Sequence, residues 1–231
     1  MLDRRRTLRL SAIAGLAALS PPGRALSQAA NQWFGVQGDD GHPVPNGRAP
    51  VELVEEIEDL PGALWSGPAE SSVRLVEFYD YNCPWCRAAQ RARDELRRDN
   101  RDLRLGIVNN PILSPASAQA AKVDLAVLQL KGAGASYALH RALFSAPGRI
   151  DGPRALAVAE TLGLDRREVE RLADTAAIGE SLGRQMRLAA SLGIAATPSY
   201  VIGGATLLGY PGPKALARIV ADTRTCGAIA C

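Results

Sequence analysis

Hydrophobic and polar positions change their period several times along the chain, and each change marks an element. From Val51 to Leu60 the apolar residues Leu53, Ile57 and Leu60 recur at helical spacing, and Pro61-Gly62 ends the segment. The run Val73-Arg74-Leu75-Val76-Glu77-Phe78-Tyr79 is β-rich and apolar enough to predict a buried central strand, with Glu77 as its one anomaly. After Cys83-Pro84-Trp85-Cys86 comes Arg87–Asn100, a stretch of helix formers without Gly or Pro. Leu103–Val108 reads as the next strand, stopped by Asn109-Asn110-Pro111. Residues 114–192 are helical in pattern almost throughout, punctuated at Gly132/Gly134, Pro147-Gly148, Gly152-Pro153 and Gly163. Ser114, Asp151 and Asp165 stand where helix caps belong. β character returns at Ser199–Ile202, and Gly203-Gly204 turns the chain into Ala205–Leu208 as a hairpin. Pro213 then opens a final helix.

The ends of the chain read differently. Residues 28–50 are rich in Gly, Pro, Asn and Asp and predict an extended or mobile arm. Residues 1–27 have the order of an export signal: basic Arg4–Arg9, a short apolar stretch from Leu10 to Leu19, then small residues near Ala25-Leu26-Ser27. The apolar stretch is shorter than the roughly 20 residues a membrane-spanning helix needs. Arg4-Arg5-Arg6-Thr7-Leu8-Arg9 also resembles a twin-arginine export signal. The expected location is therefore the periplasm or the outside of the cell, where disulfides persist.

Charge and composition narrow the function. The formal net charge is +3, yet Arg4, Arg5, Arg6 and Arg9 lie in the leader, so the remainder is close to neutral. That excludes a general electrostatic case for nucleic-acid binding. With 47% hydrophobic and 22% charged residues among 231, the mature chain can bury a core and amounts to one domain, or one domain with a large insertion.

The four cysteines fall as two pairs, Cys83/Cys86 and Cys226/Cys231. Neither His42 nor His140 neighbours a pair, so a Cys/His zinc site of ordinary spacing is not expected. His140, between Leu139 and Leu143, reads as a helix-face residue rather than a ligand. Two thiols two residues apart at a helix start suit reversible disulfide chemistry. The first sulfur sits near the unpaired N–H groups of the helix terminus, which favour a thiolate, and the second lies one turn further in. Cys83 is thus the expected exposed nucleophile and Cys86 the resolving thiol. Pro84 fits the first helical position, and Trp85 adds bulk without charge, so helix-terminus effects should carry most of the thiolate stabilisation. Arg87 either adds to that stabilisation or points into solvent. Glu77, six residues before Cys83, is either a buried carboxyl that relays protons to Cys86 or a surface glutamate on an alternating strand. Cys226 and Cys231 suit a small structural disulfide, with an auxiliary redox relay or soft-metal capture as the other readings. Trp33 and Phe34 either pack on the domain or anchor the arm.

Glu77-Phe78-Tyr79-Asp80-Tyr81-Asn82-Cys83-Pro84-Trp85-Cys86 closely resembles the active-site strand and helix of DsbA-family periplasmic oxidoreductases, most of all the DsbA/ScsC/BdbD-type group. Asn109–Ser117 resembles that group's second strand and entry to a helical insertion, and Gly193–Gly203 resembles its cis-proline strand. The resemblance implies a thioredoxin fold, a central mixed β-sheet flanked by helices, with an inserted all-helical domain. Its boundaries would be a leader at 1–27, an arm with a short helix at 28–72, thioredoxin-fold parts at 73–113 and 193–222, the insertion at 114–192 and a cysteine-bearing tail at 223–231. It also implies that Pro198 is cis, that Thr197 pairs with an extended substrate peptide beside Cys83, and that a membrane redox partner recycles the pair. Exported proteins with thiols or disulfides would be the substrates, with no metal or organic cofactor. Pro84-Trp85 and Thr197 depart from the strong oxidant DsbA and leave the direction of electron flow open, with oxidase or isomerase preferred. The single short helix within 28–72 points toward a monomer. Two other classes compete: a copper(I)- or zinc-binding thiolate protein, and a peptide-binding, chaperone-like module without turnover.

Overall fold

A computed structural model describes residues 33–231; the leader expected at 1–27 lies outside the described residues. In chain order the elements are β1 (Asn46–Arg48), α1 (Val51–Glu58), β2 (Leu64–Ser66), β3 (Arg74–Tyr79), α2 (Pro84–Asp99), β4 (Arg104–Asn109), α3 (Pro115–Ser145), α4 (Gly152–Thr161), α5 (Arg166–Ala173), α6 (Ala176–Ser191), β5 (Ser199–Ile202), β6 (Ala205–Leu208) and α7 (Pro213–Cys226).

The strands form one mixed sheet in the order β1-β6-β5-β3-β4-β2. Only β3 and β4 run parallel, with Glu77 opposite Ile107; β5 lies antiparallel on the other side of β3, with Glu77 opposite Tyr200. The fold is thus the expected thioredoxin type, with α3–α6 inserted between β4 and β5.

Strand β3 is buried from Leu75 to Tyr79, which is why its sequence is a nearly continuous apolar run. Its alternation divides the core. Val76 and Phe78 pack with Ile57 of α1 and Leu188 and Leu192 of the α6 end. Leu75 and Tyr79 face the other way, with Cys86 and Leu96 of α2 and Leu216 and Ile219 of α7. Burying each such large side chain contributes about 1.5–3 kcal/mol. Glu77, at 0% exposure, points to the α2 side with its i±2 neighbours.

The three expected caps all form: Ser114, Asp151 and Asp165 accept from the backbone N–H groups of Ser117, Arg154 and Glu168 at 3.2, 2.9 and 2.8 Å. The long α3 is interrupted at Gly132, whose φ of 79° breaks the helical path.

Two features differ from the expectations. Residues 33–50 are extended but tied down: β1 pairs with β6, Val44 N–H donates to Val36 O, and the Asp39 carboxylate accepts from the N–H groups of Lys214 and Ala215 at the start of α7. The ties are long-range, so the Gly/Pro-rich composition does not announce them. Strand β2 was not expected from the sequence; Leu64–Ser66 completes the sheet against β4. Of the two aromatics, Phe34 packs on the core while Trp33 remains 64% exposed under the Arg48 guanidinium, 5.3 Å from its ring.

Candidate active site

The site sits where β3 ends and α2 begins. Cys83 is the N-cap of α2, Pro84 holds the first helical position, and Trp85 projects outward at 64% exposure. The helix starts at Pro84, three residues ahead of the helix-former run that begins at Arg87, because the cysteine motif itself supplies the first turn. Asp80 shapes the approach: one carboxylate oxygen accepts from Asn82 N–H at 2.7 Å and the other from Leu113 N–H at 2.9 Å. The Asn82 side chain donates to Ile150 O and accepts from Ile150 N, both at 2.8 Å, which pins the loop to the insertion.

Both cysteines are free thiols here. Cys83 is only 4% exposed and Cys86 0%, so the expected open nucleophile is corrected to a nearly covered one. The cover is the Thr197-Pro198 loop: the Cys83 thiol donates to Thr197 O at 2.9 Å, and the Thr197–Pro198 peptide is cis. The Thr197 hydroxyl is buried without a partner of its own.

Electrostatics separate the two sulfurs. The Cys86 thiol hydrogen-bonds to Cys83 and, against the cost of burial, holds the Cys83 thiol down at about 6; Thr197 and the backbone N–H groups of Cys86 and Trp85 add to this. The neighbouring thiol, rather than the helix terminus, is therefore the largest favourable influence. Cys86 is pushed far up, first by burial, then by the hydrogen bond to Cys83 and the negative charge of Glu77. These influences favour a thiolate at 83 and a thiol at 86.

Glu77 takes the buried position of its two readings. Arg93, on the inner face of α2 and itself 1% exposed, places Nη1 3.0 Å from Glu77 Oε2. The angle misses hydrogen-bond geometry, so both carboxylate oxygens lack a donor. Burial raises the Glu77 pKa and the Arg93 charge works against that rise. Arg87 follows neither expectation: its guanidinium donates to Phe144 O and, at 2.8 Å, to Ala146 O, clamping the end of α3.

Sequence reasoning missed Arg93 and gave Asp80 and Asn82 no role. An arginine in an Arg-rich helix gives no sign of facing inward, although Glu77 in an apolar strand implied a buried counter-charge.

Cys226 and Cys231 are joined in a disulfide with Cα atoms 6.2 Å apart. They lie at the far end of β5, since Gly203, which follows that strand, abuts Gly227 O, whereas Pro198 precedes it. The second pair thus neither reaches the first nor offers thiolates to a shared metal. Among the described residues no group of three or more His, Cys, Asp and Glu side chains is placed to hold a metal ion.

A thiolate-forming cysteine capping a helix, a buried partner one turn on and a proline loop across them define a thioredoxin-type dithiol site. The chain belongs to the DSBA-like thioredoxin domain family, whose model matches residues 74–221, and this is a family of thiol–disulfide oxidoreductases. Among solved structures it is similar to a thioredoxin-like oxidoreductase from Silicibacter pomeroyi DSS-3, at 31% identity and a TM-score of 0.69 over 74% of this chain and 98% of that one. The thiol-disulfide exchange protein alpha-DsbA2 from Wolbachia pipientis aligns at 26% identity and TM-score 0.66, over 74% and 94% of the two chains. The catalytic domain of Proteus mirabilis ScsC shares the fold at 23% identity and TM-score 0.67, over 75% and 98%. No curated protein sequence matches.

Proposed function

We propose that this chain is an exported enzyme that exchanges disulfides with protein substrates through Cys83 and Cys86, in the oxidase or isomerase direction. The observation that carries the reading is the asymmetry of the pair: Cys83 caps α2, where the Cys86 thiol and the helix N–H groups hold its thiol down at about 6, while Cys86 is fully buried one turn on and keeps its proton. In the reduced state the Cys83 thiolate attacks a substrate disulfide, forming a mixed disulfide and releasing one substrate thiolate. Cys86 then attacks Cys83 Sγ, the bond to substrate breaks, and the proton of Cys86 passes to Glu77. Oxidation of a substrate dithiol runs the same steps backwards. A stabilised Cys83 thiolate makes the reduced pair the better resting state, which favours accepting electrons from substrate.

The surroundings suit unfolded protein. Trp85, Ile112 and Leu113 are 64%, 40% and 52% exposed, and Leu113 is tied to the active-site loop through Asp80. The order of residues 1–27 and the terminal disulfide support export to an oxidising compartment, where a membrane redox partner would recycle the pair. No metal or organic cofactor is needed for these steps.

Insulin reduction and refolding of a scrambled disulfide substrate test the proposal. Cys83→Ser should abolish both, and unchanged activity in that variant would sink it. For direction, the 83/86 reduction potential should lie on the oxidising side of thioredoxin's value of about −270 mV.

A further inference from the structure

The buried ion pair beneath the cysteines continues into the helical insertion. Arg93 uses two nitrogens in opposite directions: Nη1 faces Glu77 Oε2 at 3.0 Å, and Nη2 lies 2.7 Å from His140 Nε2 on α3. A guanidinium has only donors, so His140 Nε2 must accept. The imidazole proton is then on Nδ1, which lies 3.2 Å from the Tyr81 hydroxyl and donates to it. Tyr81 is two residues before Cys83. His140 is fully buried, with Tyr79 and Phe144 packed edge-on at 4.6 and 4.8 Å between ring centroids. Burial and the Arg93 charge keep the ring neutral. Beyond Tyr81 the chain of polar contacts runs to the Tyr79 hydroxyl at 3.1 Å and from there to Asp124 Oδ2 at 2.9 Å.

We propose that His140 is a positioning residue of the dithiol site, through which the helical insertion holds Arg93 against Glu77 and steadies the loop that carries Cys83. This rests on the reading of Glu77 as the proton acceptor for Cys86. The titratable groups that face Glu77 are Arg93, Asp94, Cys83 and Cys86 of α2, Tyr200 of β5 and Tyr210; of these Arg93 carries the positive charge, and His140 and Tyr137 of α3 face Arg93 in turn. The Arg93 cation works against the rise that burial imposes on Glu77, and so favours the carboxylate that can take the proton of Cys86. When the guanidinium drifts, Glu77 is protonated at higher pH and the resolving step loses its base.

The test isolates that step. Reduced protein is converted to the Cys83–thionitrobenzoate mixed disulfide, and release of thionitrobenzoate is followed against pH as Cys86 attacks. His140→Phe keeps the ring volume and removes the acceptor; the acid limb should move to higher pH, with release at pH 7 slowed several-fold. Arg93→Met should move the limb further, and Arg93→Lys should restore most of it. His140→Gln, which can still accept from Arg93, should lie near wild type. If Arg93→Met fails to fold, the His140 pair decides the matter alone. A limb that shifts in Glu77→Gln but stays at its wild-type pH in His140→Phe would overturn the role of His140. A limb unmoved even in Glu77→Gln would instead remove the relay reading beneath it.

Discussion

The two cysteine pairs of this chain have almost the same primary chemistry and opposite surroundings. Cys83 and Cys86 are 4% and 0% exposed, and stand among a helix terminus, a threonine carbonyl and a buried carboxylate. Cys226 and Cys231 are both exposed, at and just beyond the C-terminal end of α7, with Gly227 closing the helix in a left-handed conformation at φ 76°. The surroundings of the first pair suit a change of bonding, and those of the second a lasting disulfide. Spacing separates the pairs, two intervening residues against four. The burial of Cys86 and the donors around Cys83 separate them further.

The contrast can be broken most sharply at Cys86. Cys86→Ser should leave the nucleophile in place and remove the resolving thiol, so mixed disulfides with substrate accumulate. Turnover in insulin reduction should fall by about 100-fold or more, which is about 2.7 kcal/mol at the barrier. Trapped adducts should be visible by non-reducing electrophoresis and mass spectrometry. The double variant Cys226→Ser/Cys231→Ser probes the other pair. Its ring closes over a separation of 5 residues, so the chain-entropy estimate for its loss is about 2 kcal/mol of stability. Denaturant unfolding should show that loss while insulin reduction stays within about twofold of wild type. Thr197→Val is the mildest change: it deletes the buried hydroxyl beside Cys83 and keeps the shape. Losing that hydroxyl, a smaller influence on Cys83 than the Cys86 thiol, should raise the Cys83 pKa, read from the pH dependence of thiolate absorbance.

Much of this was legible before the structure. The strand bearing Glu77, the motif at the helix start and the three caps each announce themselves by local rules, and the structure places them there. The sheet's two edge strands did not. At three residues each, β1 and β2 carry too little periodicity to read, and both exist because β6 and β4 offer free edges. The site was half legible. Cys83, Cys86, Glu77, Thr197 and Pro198 converge, as the family resemblance implied, and the geometry around Cys83 gives its sulfur less exposure than a helix start suggests. Arg93 and His140 were hidden for a different reason. One lies in a helix with four other arginines and the other in a run of apolar residues, so only packing reveals that the two meet.

Linkage gives the asymmetry a second signature. Cys83 is depressed in the folded, reduced protein, from an ordinary thiol value down to about 6. A depressed acid stabilises the fold above its unfolded pKa and loses that contribution as pH falls through the folded one. The reduced form should therefore lose its stability advantage over Cys83→Ser between about pH 8.5 and 6.

The most direct test of the central claim is the pH dependence of alkylation by iodoacetamide, resolved by cysteine with mass spectrometry in the reduced 83/86 form. Modification should fall on Cys83 alone, with a midpoint near pH 6, and Cys86 should stay unmodified until the protein unfolds. A midpoint near the ordinary thiol value of about 8.5, or equal modification of both cysteines, would contradict the account.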